Sequence, residues 1–73
     1  MVSLAKRISD LRQDHDETQR QIAQLLGVPV QRVSEWEQGR HEPRLDKLII
    51  LADHWQVSLD YLAGVSDNPK RNT

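Results

Sequence analysis

The stretch that decides the fold is TQRQIAQLLGVPVQRVSEWEQG, residues 18–39. It begins with a capping box, because the hydroxyl of Thr18 and the amide of Gln21 can each satisfy a free backbone N–H at a helix start. Gly27 can adopt the left-handed conformation that ends a helix, and Pro29 suits the first turn of the next one. The stretch therefore predicts a helix from Gln19 to a tight corner at Gly27, followed at once by a second helix.

The second of these helices has few apolar side chains. Only Val30, Val33 and Trp36 are apolar between residues 29 and 38, and they recur every three residues. We therefore expect Trp36 to pack in the core as part of one narrow buried stripe, with a broad polar surface left outside. Two short helices joined at a glycine corner, the second displaying polar groups, are the pattern of a helix-turn-helix.

The remaining apolar residues recur at helical spacing in three places and predict helices one, four and five. Ser3 and Ser58 are the expected N-caps of helices one and five. The predicted inward faces are, in chain order, Leu4, Ala5, Ile8 and Leu11; then Leu45, Leu48, Ile49, Ala52 and Trp55; then Leu59 and Leu62. The predicted fold class is all-α, with five short helices, of which the second and third form the helix-turn-helix.

Length and composition limit the domain organisation. The chain has 73 residues, enough for one domain over 1–65, and the polar segment 66–73 is expected to be a disordered tail. There is no cysteine for a disulfide and no Cys/His cluster for structural zinc. The longest apolar run, Leu48 to Ala52, is far shorter than the roughly 20 residues that a bilayer requires. We therefore expect a cytoplasmic protein with no membrane partner.

The charges are nearly balanced, since 10 Lys and Arg stand against 11 Asp and Glu. Many nucleic-acid-binding domains are clearly basic, so composition alone argues weakly against DNA. Binding depends on local phosphate contacts, however, and acidic groups on a distant face can be tolerated. The residues expected to contact phosphate are Gln19 and Arg20 at the start of helix two, and Arg40, His41 and Arg44, with Lys47 beside them, after helix three.

The outer surface of helix three carries side chains that can read base edges. The expected base-contacting residues are Val30, Gln31, Arg32, Ser34 and Glu35. Arg can pair with guanine, Gln with adenine, and Glu can accept from the amino group of cytosine, while Val can touch a thymine methyl. Arg32 and Glu35 lie three residues apart, so the alternative is that they only pair with each other on a solvated helix face.

Several short motifs occur in a fixed order along the chain. They are Arg7-Ile8-x-x-Leu11-Arg12, Thr18-Gln19-x-x-Ile22-Ala23-x-x-Leu26-Gly27-Val28, Val33-Ser34-x-Trp36-Glu37-x-Gly39 and Val57-Ser58-Leu59-x-Tyr61-Leu62-x-Gly64. Together they resemble the XRE/Cro-type phage-repressor helix-turn-helix family from about Lys6 to Gly64. The resemblance implies a five-helix lambda-repressor-like domain that binds an operator with two half-sites as a homodimer. It also implies a structural pair between Arg12 and Glu37.

Five positions depart from the pattern of that family. Glu17 stands where an apolar residue is usual, Pro29 and Arg44 where Ser is common, Gln56 where Gly is common, and Ile50 where a polar residue is usual. Because helix four has a full inward face without it, Ile50 is expected at the surface. We expect a dimer interface formed by Ile50, His54, Val57 and Tyr61, although a single exposed apolar residue is also ordinary.

Nothing in the sequence indicates catalysis or metal binding. His15, His41 and His54 share no metal-ligand spacing, and no nucleophile, base and carboxylate come together. We therefore expect a non-enzymatic repressor of bacterial or phage origin that binds double-stranded DNA without a cofactor, metal or small-molecule substrate. Two alternatives keep the same fold: a protein-interaction module, favoured by Glu35 and the net acidity, and an antitoxin that also binds a toxin protein.

Overall fold

The computed structural model describes residues 2–71, which form five helices and no strand. The helices are α1 (Leu4–Asp14), α2 (Gln19–Leu26), α3 (Val30–Glu37), α4 (Leu45–Trp55) and α5 (Leu59–Leu62). The predicted all-α class and the order of its helices are confirmed. None of these helices has the length and apolar character needed to cross a membrane.

Side-chain caps set the start of three helices. Ser3, Thr18 and Ser58 each accept a hydrogen bond from the backbone N–H three residues later. At Thr18 the capping box is complete, because the side chain of Gln21 accepts the Thr18 N–H at 2.7 Å. Each cap satisfies an N–H that would otherwise have no partner within its helix, so local sequence alone defines these starts.

Backbone conformation defines the other boundaries. Gly27 ends α2 at a φ of 68°, in the left-handed region that glycine adopts without steric cost. Gln56 ends α4 in the same region, at a φ of 56°, although its Cβ is disfavoured there. Pro29 and Arg44 precede α3 and α4 without a side-chain cap, at the two positions where the family commonly has serine.

The core lies where all five helices meet. Its buried apolar members are Ile8, Leu11, Ile22, Ala23, Leu26, Val33, Trp36, Leu51, Ala52, Trp55, Val57 and Leu62. Helix α3 packs against α1 and α2, and the apolar side chains that it buries are Val33 and Trp36. The narrow apolar stripe thus fixes α3 to the core while the side chains on its outer face remain accessible.

The buried face of α4 differs from the predicted one. Leu45 and Ile49 were expected to face inward but are 64% and 50% exposed, whereas Leu51 is fully buried. Residues 48–51 are all apolar, so helical spacing fits more than one face, and the face that packs into the core is the one with Leu51, Ala52 and Trp55. Leu59 of α5, also expected to face inward, is 40% exposed.

Leu45 and Leu59 border a groove between α4 and α5. We call it the α4–α5 groove; its volume is about 160 Å³ and its lining residues are Leu45, Leu48, Leu59, Asp60, Leu62 and Ala63. Five of those six residues are apolar, so the groove is an apolar feature of the surface.

The segment after α5 turns back over the domain. The Ser58 N–H donates to the carbonyl of Pro69 at 3.1 Å, and Arg71 donates to the carboxylate of Asp53 at 3.1 Å. Asp67 lies 3.7 Å from the guanidinium of Arg7. Disorder of the tail stays a prediction, and its last two residues, 72 and 73, lie outside the described part of the chain.

Candidate nucleic-acid interface

Helix α3 presents its polar side chains away from the core. Val30, Gln31 and Arg32 are exposed in its first turn, and Ser34 and Glu35 are half-buried one turn later. The structure brings Gln31, Arg32 and Glu35 together around a shallow depression of about 180 Å³ beside Pro29. Side chains with amide, guanidinium and carboxylate groups therefore meet on one outward surface, as base readout requires.

Arg32 and Glu35 form only a loose ion pair. Arg32 Nε lies 3.8 Å from Glu35 Oε1, and the two side chains are 51% and 23% exposed. An exposed pair of this kind contributes about 0.2–1 kcal/mol, so separating the partners costs little. Both groups can therefore turn to a base edge even though they contact each other in the free domain.

The start of α2 forms a second part of the surface. Gln19 is the first residue of the helix and is half-buried, and Arg20 beside it is exposed. The free N–H groups of a first helical turn and the positive end of the helix dipole favour an anion such as phosphate. The side-chain amide of Gln19 donates to Glu37 Oε1 at 3.2 Å, which ties this helix start to the end of α3.

An ion pair joins α1 to α3 beneath that helix start. Arg12 donates to Glu37 through Nε at 2.7 Å and through Nη2 at 3.1 Å, and the side chains are only 15% and 8% exposed. Hydrogen bonding to Glu37 raises the pKa of the Arg12 guanidinium, against burial, which lowers it. Arg12 also donates to the carbonyl of Glu17 at 2.7 Å, so it holds the chain just before α2.

Basic side chains line the segment from α3 into α4. Arg40, His41 and Arg44 are all exposed there. A groove of about 270 Å³ brings Arg44 next to Arg32, and it is lined by Val28, Arg32, Trp36, Glu42, Arg44 and Lys47. This groove therefore links the outer surface of α3, which is predicted to contact bases, to the basic segment.

Lys47 was noted in the sequence beside the basic segment but has a structural contact. Its ammonium donates to the carbonyl of Leu26 at 3.0 Å, at the end of α2. Lysine at a helix C-terminus is favourable because the last carbonyl groups lack partners within the helix. Glu42 was not singled out in the sequence, although it lies in the same groove. The basic residues on both sides of Glu42 in the sequence were the signal that could have placed it in this groove.

Comparison with known proteins identifies the family. A family model described as helix-turn-helix matches residues 8–62, which include α2, α3 and the segments on both sides of them. This chain belongs to the helix-turn-helix family. The match confirms the family that the sequence motifs indicated.

Two similar proteins of Bacillus subtilis are HTH-type transcriptional regulators. YobD, which is itself uncharacterized, is 38% identical over 64 residues, covering 88% of this chain and 57% of YobD. ImmR is 34% identical over 71 residues, covering 97% of this chain and 56% of ImmR. This helix-turn-helix chain thus spans about half the length of the curated relatives it matches.

A solved structure has the same architecture. The P22 c2 repressor in complex with synthetic operator 9T superposes with a TM-score of 0.81 at 27% identity, covering 90% of this chain and 100% of that one. The predicted five-helix lambda-repressor-like fold is thereby confirmed. The three proteins named are two regulators and a repressor, in agreement with the expectation that this helix-turn-helix chain is not an enzyme.

The residues expected at a dimer interface do not form one surface of this helix-turn-helix domain. Ile50 is 39% exposed, but Val57 is only 6% exposed and belongs to the core. Because the backbone of Gln56 is in the left-handed conformation, the chain turns inward and the Val57 N–H donates to the Ala52 carbonyl. Tyr61 is half-buried, with the guanidinium of Arg7 3.8 Å from its ring centroid. Val57 is therefore a core residue and not a surface contact.

His54, the remaining member of that set, contacts Glu17. The other oxygen of the Glu17 carboxylate accepts the indole N–H of Trp55 at 2.8 Å. Burial alone raises the pKa of Glu17, but hydrogen bonds from Trp55 and His54, with the charges of His54 and His15, outweigh it and hold that pKa below its ordinary value. The sequence signal for this cluster was a carboxylate at a position that is apolar in the family.

Proposed function

We propose that this domain is a sequence-specific DNA-binding regulator, acting as a repressor, that places α3 in the major groove. The observation that carries the proposal is that exposed Gln31 and Arg32 and half-buried Glu35 share the outer surface of α3, between the start of α2 and the basic segment. A recognition helix needs such groups at its surface and phosphate contacts on both sides. The relatives named as transcriptional regulators and as a repressor support the same function.

The proposed contacts divide into two classes. Base edges are contacted by Val30, Gln31, Arg32, Ser34 and Glu35, and phosphates by Gln19, Arg20, Arg40, His41 and Arg44. The first class determines sequence preference, while the second fixes register and contributes most of the salt dependence. No cofactor enters the proposal, and we place its action in the bacterial cytoplasm, on a chromosomal or phage operator.

The proposal includes a homodimer, whose contact we assign to the α4–α5 groove. Leu45, Ile49 and Leu59 are exposed apolar side chains on these two helices, and burying them against a second copy is favourable. The longest extent of the domain is 30 Å. A dimer on two half-sites must place its two α3 helices about 34 Å apart, the distance between successive major grooves, and this is comparable to that extent.

Selection from random duplexes tests the DNA-binding proposal. We expect the protein at low salt to enrich a palindrome, and its affinity to fall with salt by about 0.9 log units per log unit for each phosphate contacted. Gln31→Ala should cost about 1–3 kcal/mol at one base pair of each half-site and relax the preference there. Gln24→Ala, an exposed glutamine of α2, is the matched control and should change neither.

Other outcomes would contradict the proposal. Retention of no duplex even at low salt would exclude DNA binding and favour the protein-interaction alternative, for which the exposed apolar groove is the available surface. Enrichment without any effect of Gln31→Ala would leave DNA binding in place but remove α3 as the source of base preference.

A further inference from the structure

The carboxylate of Glu37 has more partners than an ion pair requires. Its Oε2 accepts from Arg12, and its Oε1 accepts both from Arg12 at 3.1 Å and from the side-chain amide of Gln19 at 3.2 Å. Glu37 is 8% exposed, so this carboxylate is satisfied almost entirely by these two side chains. One buried group therefore contacts both α1 and the first residue of α2.

The chemistry of the carboxylate fixes the orientation of the Gln19 amide. An ionised carboxylate only accepts hydrogen bonds, so the amide must present its nitrogen and not its oxygen to Glu37. The nitrogen carries two N–H groups, of which this contact uses one. The second N–H remains for another acceptor at the start of α2, where free backbone N–H groups already favour an anion.

The charge of Glu37 would by itself disfavour DNA at this position. A carboxylate close to a helix N-terminus stabilises the free helix but repels a phosphate that approaches the same terminus. The bidentate contact with Arg12 compensates that charge. Glu37 can therefore hold the Gln19 side chain without presenting an uncompensated negative charge to the DNA backbone.

We infer that Glu37 is a positioning residue for DNA binding: it orients Gln19 so that the second amide N–H meets a phosphate oxygen at the start of α2. The inference rests on the proposed DNA-binding function. The ion pair between Arg12 and Glu37 then does more than join α1 to α3, because Glu37 also affects the affinity for DNA through Gln19.

A double-mutant cycle with Gln19→Ala and Glu37→Gln tests this role. In the Glu37→Gln variant, the single remaining side-chain oxygen accepts from Arg12 and the new N–H groups face Gln19, so the Gln19 amide can no longer donate to residue 37. We expect each single substitution to weaken binding to a mixed-sequence duplex at low salt by about threefold to tenfold, the range for one hydrogen bond. In the Gln19→Ala background, Glu37→Gln should then change affinity by less than about twofold.

A readout in the free protein separates positioning from folding. The side-chain amide signals of Gln19 in a proton–nitrogen NMR spectrum are identified by their absence in Gln19→Ala. We expect Glu37→Gln to shift them while the backbone signals of α4 and α5 stay in place. If Glu37→Gln does not fold, Glu37→Asp keeps the charge opposite Arg12 with a shorter reach and takes its place in both measurements.

The outcomes distinguish the inference from the proposed function. No binding of any duplex by the unaltered protein overturns the proposed function itself. Binding with independent, multiplicative effects of the two substitutions overturns the positioning role alone. An unchanged affinity of Gln19→Ala also overturns it, because Gln19 would then contact no phosphate.

Discussion

The side chain of Glu17 connects two segments that are far apart in sequence. Its position is usually apolar in the family, yet its two carboxylate oxygens are used by the indole N–H of Trp55 and by His54. A half-buried carboxylate is tolerated only when its oxygens are hydrogen-bonded, and here they are. The contact joins the loop before α2 to the end of α4, which lies 37 and 38 residues away in sequence.

The lowered pKa of Glu17 predicts a pH dependence of stability. Its folded pKa lies below the ordinary value of 4.5, so ionised Glu17 stabilises the fold above that value, and this contribution is lost as pH falls through the folded pKa. Glu17→Gln should be less stable than the unaltered protein at pH 7, and the difference should shrink in acid. Urea unfolding followed by circular dichroism at several pH values measures this.

Exposed Glu42 provides the control for that experiment. Glu42→Gln should leave the acid dependence of unfolding close to that of the unaltered protein, since Glu42 has no hydrogen bond or ion pair among the described residues. An equal acid dependence in Glu17→Gln and the unaltered protein would show that the Glu17 contacts do not contribute to stability.

At the scale of helices, α2 and α4 both end in the left-handed conformation, but only α2 ends with the residue type that favours it. Gly27 adopts its φ of 68° freely, and a Cβ built there would meet nothing within 4 Å. Gln56 adopts almost the same conformation with a full side chain, which costs about 1–2 kcal/mol relative to the right-handed region. The hydrogen bond from the side-chain amide of Gln56 to the carbonyl of Asp53 is exposed and offsets only part of this cost.

Gln56→Gly should therefore stabilise the domain. We expect an increase of about 0.5–1 kcal/mol in the free energy of unfolding, because relief of the left-handed strain exceeds the greater entropy of glycine in the unfolded chain. Thermal and urea unfolding measure it. Gln38→Gly is the matched control: Gln38 also ends a helix but at a φ of −87°, so glycine there should destabilise by about 0.5–1 kcal/mol. Equal effects of the two substitutions would contradict the strain argument.

At the scale of the whole molecule, the balanced net charge conceals an uneven distribution. Arg32, Arg44 and Lys47 line one groove beside α3, although the chain carries a formal net charge of −1. The apolar α4–α5 groove is a separate surface, so contact with DNA and contact with a second copy need not compete. A repressor on two half-sites requires both surfaces at once.

Disruption of the α4–α5 groove should weaken dimerisation without changing how one copy contacts DNA. Leu45→Lys changes a side chain that is 64% exposed, so we expect little loss of fold stability but at least a tenfold weaker dimer in sedimentation velocity. Affinity for a palindromic duplex should fall while affinity for a single half-site stays the same. Leu25→Lys, at a 41% exposed leucine of α2, is the control and should leave dimerisation unchanged. A dimer unaffected by Leu45→Lys would exclude this groove as the interface.

The sequence by itself determined the elements whose causes are local. Ser3, Thr18 and Gly27 fix helix starts and ends through hydrogen bonds and backbone conformations within a few residues, so the helices and the corner between α2 and α3 could be predicted. The polar surface of α3 followed from its three apolar residues, and the motifs indicated the family. All of this information is contained in short windows of sequence.

Only the tertiary structure decided which of several possible partners each side chain has. Packing of the helices around one core selected the buried face of α4, which exposes Leu45 and buries Leu51, and the turn at Gln56 sent Val57 into the core. Gln19 was predicted to contact phosphate, but its contact with Glu37 follows from how α2 crosses α3. These choices depend on the shapes and distances of helices far apart in sequence, which periodicity within one helix does not encode.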